Sequence, residues 1–454
     1  MDKAERQNKM GTMHEGKLLL SMGAPLMLSM LVSALYNIVD SFFAAQISGI
    51  GDAAVNALTL AFPIQMLMTA LAVGTGVGVG AELSRCLGQG EIEKASKTAG
   101  NAIFLYGIYF VLLCLFGVFG AKAYIAGQTN DSVVLELGVS YLSIVTCLSF
   151  GFMGEKCFEK LLQSTGKATY SMIGQLTGAV MNMLLDPIFI FGYLGLPAMG
   201  VTGAAIATVV GQSCAICVSA TLHFKKNVEL NNGLQYIRPN RKIIGKILKI
   251  GAPAILMQSL TSVMSYGMNL ILHSISAAAV TAFGIYYKLQ NFIFMPAFGL
   301  NNASIPIIGY NIGAKKLDRV SITIRYGLIT VSVIMVFGFI LFQCFAKQIV
   351  GIFNLSTEVM ELAVAALRII SCGFIFSGIN ILLQGVCQAL GNGNISLVIS
   401  ALRLIIGVLP LAAGLAAIQG SEHFIWIVFP IAEVISFIAA VILTSKLYRS
   451  ISKL

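Results

Sequence analysis

Charge is what this sequence has least of. Asp, Glu, Lys and Arg together make up 11% of its 454 residues, where a soluble domain carries about 25%. With 57% hydrophobic residues and a mean hydropathy of +0.86, that deficit excludes a soluble fold. The apolar sequence far exceeds the roughly 20 residues one spanning helix needs, so the chain is polytopic. Histidine is scarce too, with four dispersed residues and no metal-ligand spacing. Nucleotide loops are missing. Gly74-Thr-Gly-Val-Gly-Val-Gly80 lies inside an apolar run with no strand before it and does not fit G-x-G-x-x-G, so close helix packing or a bend accounts for it better. Ser164-Thr-Gly-Lys167 lacks the leading glycine of a phosphate-binding loop, so ATP drive has no support. Cys214-Ala-Ile-Cys217 has redox spacing but sits within an apolar span and reads as small packing residues. No nucleophile, base and orienter come together in the pattern. No enzyme and no organic cofactor are expected.

What charge there is carries a net excess of +10, and its placement decides between nucleic acid and membrane. Of the 29 Lys and Arg, all but Lys122, Lys347, Lys288, Arg368 and Arg403 fall at the termini or in alternate connections between apolar runs. These are Lys3 to Lys17, Arg85 to Lys97, Lys156 to Lys167, Lys225 to Lys249, Lys315 to Arg325 and Lys446 to Lys453. This is the positive-inside pattern of a multi-pass protein in an inner (plasma) membrane with both termini cytoplasmic. No nucleic-acid partner is expected; the partners are the lipid bilayer and small organic molecules. Residues 1–16 read as a polar, mobile cytoplasmic tail rather than a cleaved signal.

Apolar stretches long enough to cross are expected near 18–44, 55–83, 97–119, 134–155, 168–192 and 198–222, then 247–274, 279–309, 320–343, 359–386, 394–416 and 423–446. The most basic connection, 223–246, divides residues 1–222 from 247–454. The halves look like copies. Gly23-Ala-Pro25 recurs as Gly251-Ala-Pro253, while Ala72-x-Gly74, Gly88 and Gln163-x-x-Gly166 recur 225 positions later as Ala297-x-Gly299, Gly313 and Gln388-x-x-Gly391. An even number of spans per copy makes the repeats parallel. The expected fold is therefore an all-α membrane protein of twelve helices in two six-helix lobes, related by an axis along the membrane normal.

The most telling stretch is Leu35-Tyr36-Asn37-Ile38-Val39-Asp40, an apolar run that ends in a carboxylate. An Asp at mid-membrane costs about 2.5–3.5 kcal/mol on insertion scales and by default marks a functional site. Tyr36, Asn37 and Asp40 share one helix face. A second deep acid, Asp186, follows Asn182 at i, i+4 and precedes Pro187, with Gln175 seven residues before Asn182. Proline frees the Met183 carbonyl nearby. By the repeat, Asp40 falls opposite Met268, Asn182 opposite Ile405 and Asp186 opposite Leu409, so both deep carboxylates and the ion chemistry belong to the N-lobe. If the two acids meet, each disfavours the other's charge, and one proton or one Na⁺ neutralises the cluster. Thr202 could add a further oxygen ligand. A polar clamp between helices is the competing explanation. In the C-lobe, Gln258, Ser262, Tyr266 and Asn269 recur at helical spacing, as do Asn380, Gln384 and Gln388. They suit either a substrate cavity or interhelical glue.

These residues resemble the multidrug and toxic compound extrusion (MATE) transporters. The resemblance is carried by Leu35–Asp40, Asp186-Pro187 with Met199-Gly-Val-Thr-Gly-Ala-Ala205, and Met295-Pro296 with Pro306-Ile-Ile-Gly-Tyr-Asn-Ile-Gly-Ala314. It implies a two-lobed, monomeric antiporter that expels amphipathic, often cationic, compounds against inward H⁺ or Na⁺, with a coupling site at Asp40, Asn182, Asp186 and Thr202. Acids that another branch places on the seventh and tenth spans are missing between 251 and 274, and Glu358 and Glu361 stand only at the outer start of the tenth. That departure matches the bacterial multidrug-efflux and DNA-damage-inducible branch. A lipid-linked saccharide flippase of the same superfamily is the alternative; it would need cavity cations, for which only Lys288, Arg368 and Arg403 are candidates.

Overall fold

The computed structural model describes residues 8–47, 51–353, 355–418 and 420–452, with the side chains of 36–38, 40–42, 44–45, 51–52 and 452 left aside. Among these residues every regular element is helical. The N-lobe holds α1 (Glu15–Ala45), α2 (Gly51–Gly88), α3 (Ile92–Phe119), the short α4 (Ala121–Ala126), α5 (Ser132–Cys147), α6 (Phe150–Ser164), α7 (Ala168–Phe191) and α8 (Gly200–Lys226). The C-lobe holds α9 (Arg241–His273), α10 (Ala277–Gly313), α11 (Leu317–Gly351), α12 (Thr357–Ser371), α13 (Phe374–Ala389), α14 (Gly393–Ala401), α15 (Leu409–Ala416) and α16 (Val428–Ser452). A π-helical turn, Leu402–Ile406, joins α14 to α15. Among the described residues, ten helices are long and apolar enough to cross a membrane, twelve when the bent pairs α5–α6 (45°) and α12–α13 (55°) each count as one span. Apolar runs supply the length, and short polar side chains start several helices. Asp131 caps α5, Asn240 caps α9, Ser276 caps α10 and Asn392 caps α14 by accepting the first free N–H groups.

The internal repeat is visible as repeated contacts. Gln163 donates to Ser171 at 3.0 Å, and Gln388, 225 positions on, donates to Ser396 at 3.0 Å. Between each Gln and Ser the chain turns through a glycine with positive φ, Gly166 (+84°) or Gly391 (+86°), a conformation open to glycine at little cost. Ser164-Thr-Gly-Lys167 is thus the α6–α7 turn.

The lobes meet by exchanging their first helices. The start of α1 (Leu18, Leu19, Met22, Leu26) is buried in the C-lobe core, and the start of α9 (Ile243, Ile247) in the N-lobe core. Glycines make the crossings close. A methyl on Gly74 would strike the backbone of Ile255, and one on Gly299 the backbone of Met27. A methyl on Gly88 would strike the Tyr310 carbonyl, and one on Gly313 the Arg85 carbonyl. Each contact is the other's partner under the repeat, so a pseudo-two-fold axis runs between the lobes. The Gly74–Gly80 run is confirmed as close packing, with Gly78 set against the Ile247 carbonyl.

These crossings all lie on the side where α1 begins and α2 ends, called here the terminal side. On α9, Gln258, Ser262, Tyr266 and Asn269 are exposed, alongside Leu256, Val263 and Leu270. The close crossings seal the lobes together on the terminal side.

Two expectations fail here. Residues 8–14 are no mobile tail: they lie across the seal as a strap. Asn8 donates to the Thr165 carbonyl of the N-lobe (2.8 Å), while the Met10 and Gly11 carbonyls accept from Asn311 and Lys316 of the C-lobe (3.0 Å each). Met10 is fully buried, Arg319 donates to the Met13 carbonyl, and Arg319 pairs with Glu15 at 2.7 Å. Packing into a crevice between helices overrides the polarity of the segment. Lys156 and Lys160, expected in a connection after a span ending near 155, instead lie on α6, which carries that span to Ser164, Lys160 buried and Lys156 half-buried. Paired charges hide inside a helix bundle where unpaired ones could not.

Candidate functional site

The first centre lies on α7. Asp186 is fully buried and Asn182 is 3% exposed. Helical i, i+4 spacing brings the Asn182 Nδ2 to 3.3 Å from the Asp186 Oδ1, and the same amide lies 3.3 Å from the Thr208 Oγ1 on α8. Thr208 in turn donates to the Ala204 carbonyl, leaving its lone pairs for the amide. The Asn182 Oδ1 is buried with no hydrogen-bond partner among the described residues, so this centre offers an acceptor oxygen as well as a carboxylate. α1 packs along α7 and runs parallel to it; near their far ends Phe43 meets Phe191 edge to face at 6.2 Å. At about 1.5 Å per residue, that contact sets the backbones of Asp40 and Asp186 at similar depth. The side chains of Tyr36, Asn37 and Asp40 lie outside the described residues. Thr202, at the start of α8, pairs with Ser140 of α5 at 3.0 Å. Thr208, not Thr202, is the hydroxyl in contact with Asn182.

Gln175 belongs elsewhere, to a buried charged network on α6 that the sequence reading missed. Lys156 lies 3.2 Å from Glu155 and 2.6 Å from Glu159, and Gln163 and Gln175 donate to Glu159 at 2.8 and 3.4 Å. Lys160 reaches the Gln163 amide oxygen (3.0 Å) and, across the lobe boundary, Asn302 of α10 (3.4 Å). The i, i+3 pairing of Lys156 with Glu159 in Glu155-Lys-x-x-Glu-Lys160 was the available signal.

A third centre corrects the expectation that deep carboxylates are confined to the N-lobe. Glu433 of α16 pairs with Arg403 of the π turn at 2.5 Å, and its second oxygen accepts from Asn380 at 2.8 Å. Asn380 is fully buried and Gln384 is buried, accepting from Ser400 at 2.9 Å. Both are packed inside the C-lobe, whereas Gln258, Ser262, Tyr266 and Asn269 of α9 are exposed. A lone acid in an apolar run, 30 residues from its partner, leaves little trace in a one-dimensional reading. No group of three or more His, Cys, Asp or Glu able to hold a metal occurs among the described residues.

Residues 25–188 and 253–412 match the MatE family model, one stretch in each lobe and together well over half the chain. The chain belongs to the MATE transporter family. Over 435 residues, spanning 94% of this chain and 92% of the relative, it is 28% identical to the multidrug export protein MepA of Staphylococcus saprophyticus. It is 27% identical to MepA of Staphylococcus aureus strain MSSA476, over 94% of this chain and 93% of that one. Among solved structures, an outward-facing multidrug resistance MATE family transporter of the MOP superfamily superposes with a TM-score of 0.93, covering 100% of both chains at 22% identity. The Vibrio cholerae MATE transporter VcmN in its bent form superposes with a TM-score of 0.87 at 25% identity, over 96% of this chain and 97% of that one. A MATE chain is a transporter rather than an enzyme.

Proposed function

We propose that this protein is a secondary antiporter that exports amphipathic, cationic organic compounds in exchange for H⁺ or Na⁺. It works as a monomer in the inner (plasma) membrane with both termini cytoplasmic. The observation that carries the reading is the sealed centre of Asp186, Asn182 and Thr208, set level with Asp40 on a parallel helix. The positive-inside distribution supports the orientation, and the MepA relatives, named as multidrug export proteins, support the direction of transport.

A carboxylate held in that centre is stable when a proton or a hard cation compensates it. For Na⁺, the Asp186 oxygens and the Asn182 Oδ1 are the ligands at hand; for H⁺, Asp186 is the acceptor. Asp40, with Tyr36 and Asn37 on its helix face, completes the coupling set, and Thr202 holds the adjoining end of α8 to α5. Loading the centre from the side away from the termini and emptying it towards the cytoplasm would couple the ion to a rocking of the lobes, with the substrate leaving along the exposed Gln258, Ser262, Tyr266 and Asn269. The test is ethidium transport in proteoliposomes under an imposed pH or Na⁺ gradient, for wild type, Asp40→Asn and Asp186→Asn. One gradient should drive export, and both folded variants should lose it. Unchanged gradient-driven export in both variants would overturn the coupling assignment.

A further inference from the structure

The connection between the lobes carries seven cations from Lys225 to Lys249 against one acid, Glu229, which is itself taken up by Lys167 at 3.2 Å. Orienting the chain in a bilayer needs cations on this side, but not a cavity built around them. Where the connection enters α9, an open cavity of about 680 Å³ lies between it and the turn from α2 to α3, a size within the range of about 300–1,000 Å³ of small-molecule sites. Four lysines line it, Lys94 and Lys97 from α3 and Lys242 and Lys246 from α9, together with Ile92 and Ile243. Lys242 is exposed and makes no ion pair among the described residues. Glu91 and Glu93 also line the cavity and hold Lys94 and Lys97 at 2.7 Å each. Pairs as exposed as these hold weakly in water, so a phosphate can take over their ammonium groups. Lys246 reaches across the lobe boundary to Glu82 of α2 at 3.1 Å. The cavity therefore straddles the seam where the first helix of the C-lobe enters the N-lobe core through Ile243 and Ile247.

Beside the lysines the same connection offers apolar side chains outwards. Its second half runs along the start of α3, with the Asn231 N–H donating to Ser96 at 2.9 Å and the Asn240 N–H donating to Asn101 at 2.7 Å. The 3₁₀ turn Leu234–Ile237 lies between those two anchors, and Leu234 on it is 85% exposed; Ile92, at the cavity, is 37% exposed. A leucine presented from a basic segment at the ends of membrane helices has the bilayer for a neighbour. Cations set beside apolar side chains at that level are what holds an anionic lipid. We propose that this cavity binds the phosphate headgroup of an anionic phospholipid, phosphatidylglycerol, from the cytoplasmic leaflet, with the four lysines on the phosphate and Ile92 and Leu234 against its apolar part. The lipid joins α3 of the N-lobe to α9 of the C-lobe beside the Lys246–Glu82 pair and so steadies the seam. Naming the leaflet rests on the orientation proposed above; the binding does not.

Phosphatidylglycerol labelled with a fluorophore at the end of one acyl chain is titrated into the purified protein in neutral detergent, with phosphatidylcholine labelled in the same way beside it. Both faces of the protein are accessible there and no transport is required, so the result stands apart from the exporter reading and from the orientation. Wild type should bind phosphatidylglycerol about tenfold or more tighter than phosphatidylcholine, with an affinity that falls as salt rises. Lys97→Gln/Lys242→Gln should weaken phosphatidylglycerol about tenfold or more, the scale of two lost lysine–phosphate contacts, and leave phosphatidylcholine unchanged. Arg325→Gln/Lys446→Gln removes two exposed cations from the terminal side of the C-lobe and should leave both affinities within about twofold. Leu234→Asn should weaken phosphatidylglycerol severalfold, and free glycerol 3-phosphate should not displace it. Monodispersity of each variant is the folding control. Equal affinity for the two lipids, or an equal loss in the two double variants, would overturn the site. Displacement by glycerol 3-phosphate as effective as by unlabelled phosphatidylglycerol would overturn the lipid as its occupant in favour of a soluble phosphate.

Discussion

At the residue scale, the Asn182 amide stands between two oxygens, the Asp186 carboxylate and the Thr208 hydroxyl, each 3.3 Å away. Thr208→Val removes one of them and lets the amide turn, so the ion concentration giving half-maximal export should rise severalfold. Thr202→Val breaks only the contact to Ser140 and should leave that value within about twofold; a titration of export against pH or Na⁺ distinguishes the two. The charged network on α6 makes a different demand. Truncating Lys160 to Ala strips a buried cation from beside Glu159 and from Asn302 of the other lobe. Removing one member of a buried pair typically costs about 3–5 kcal/mol, so the thermal midpoint of the purified protein should drop by several degrees. The sequence made the α7 centre readable because its acid is unmatched locally and stands out from an apolar run. It hid the α6 network because a hydropathy scan assigns Lys and Glu to water, whether or not they neutralise each other in three dimensions. Glu433 escaped for the same reason, its partner being distant in sequence and close in space.

At the element scale, the decisive feature is how nearly the first two helices of each lobe touch those of the other. Gly88→Ala and Gly313→Ala put equivalent methyl groups against equivalent carbonyls, of Tyr310 and Arg85. Both variants should therefore weaken the terminal-side seal by comparable amounts. Spin labels placed on the two lobes should report broadened or longer distances across the seal in each. Gly107→Ala, where an added methyl meets nothing within 4 Å, should not. The repeat was legible beforehand because these crossings depend on residue size, which glycine states unambiguously. The exchange of α1 and α9 between lobes was not legible, since apolar side chains say that they are buried without saying in which core.

At the scale of the whole molecule, the strap formed by residues 8–14 ties both lobes together on the terminal side. Lys9 sits in it against the grain. Burial, helped by the nearby Lys167 ammonium and opposed by Glu229, lowers its affinity for a proton below that of a free lysine. Docking of the strap therefore disfavours the charged form, and strengthens as pH rises from that lowered value towards 10.5. Lys9→Met removes the penalty. Hydrogen exchange at Met10 to Met13 should slow in the variant at neutral pH and show less dependence on pH than in wild type. A strap of this kind makes the two ends of the chain unequal. Ser450, near the end of α16, is exposed, so a label attached there leaves the strap untouched. A bulky group carried on the chain immediately before Asn8 would sit at the point where the halves are stitched. Fusions at that position should therefore report a transporter biased towards its open-seal state, and activity measured on them would describe the fusion as much as the protein.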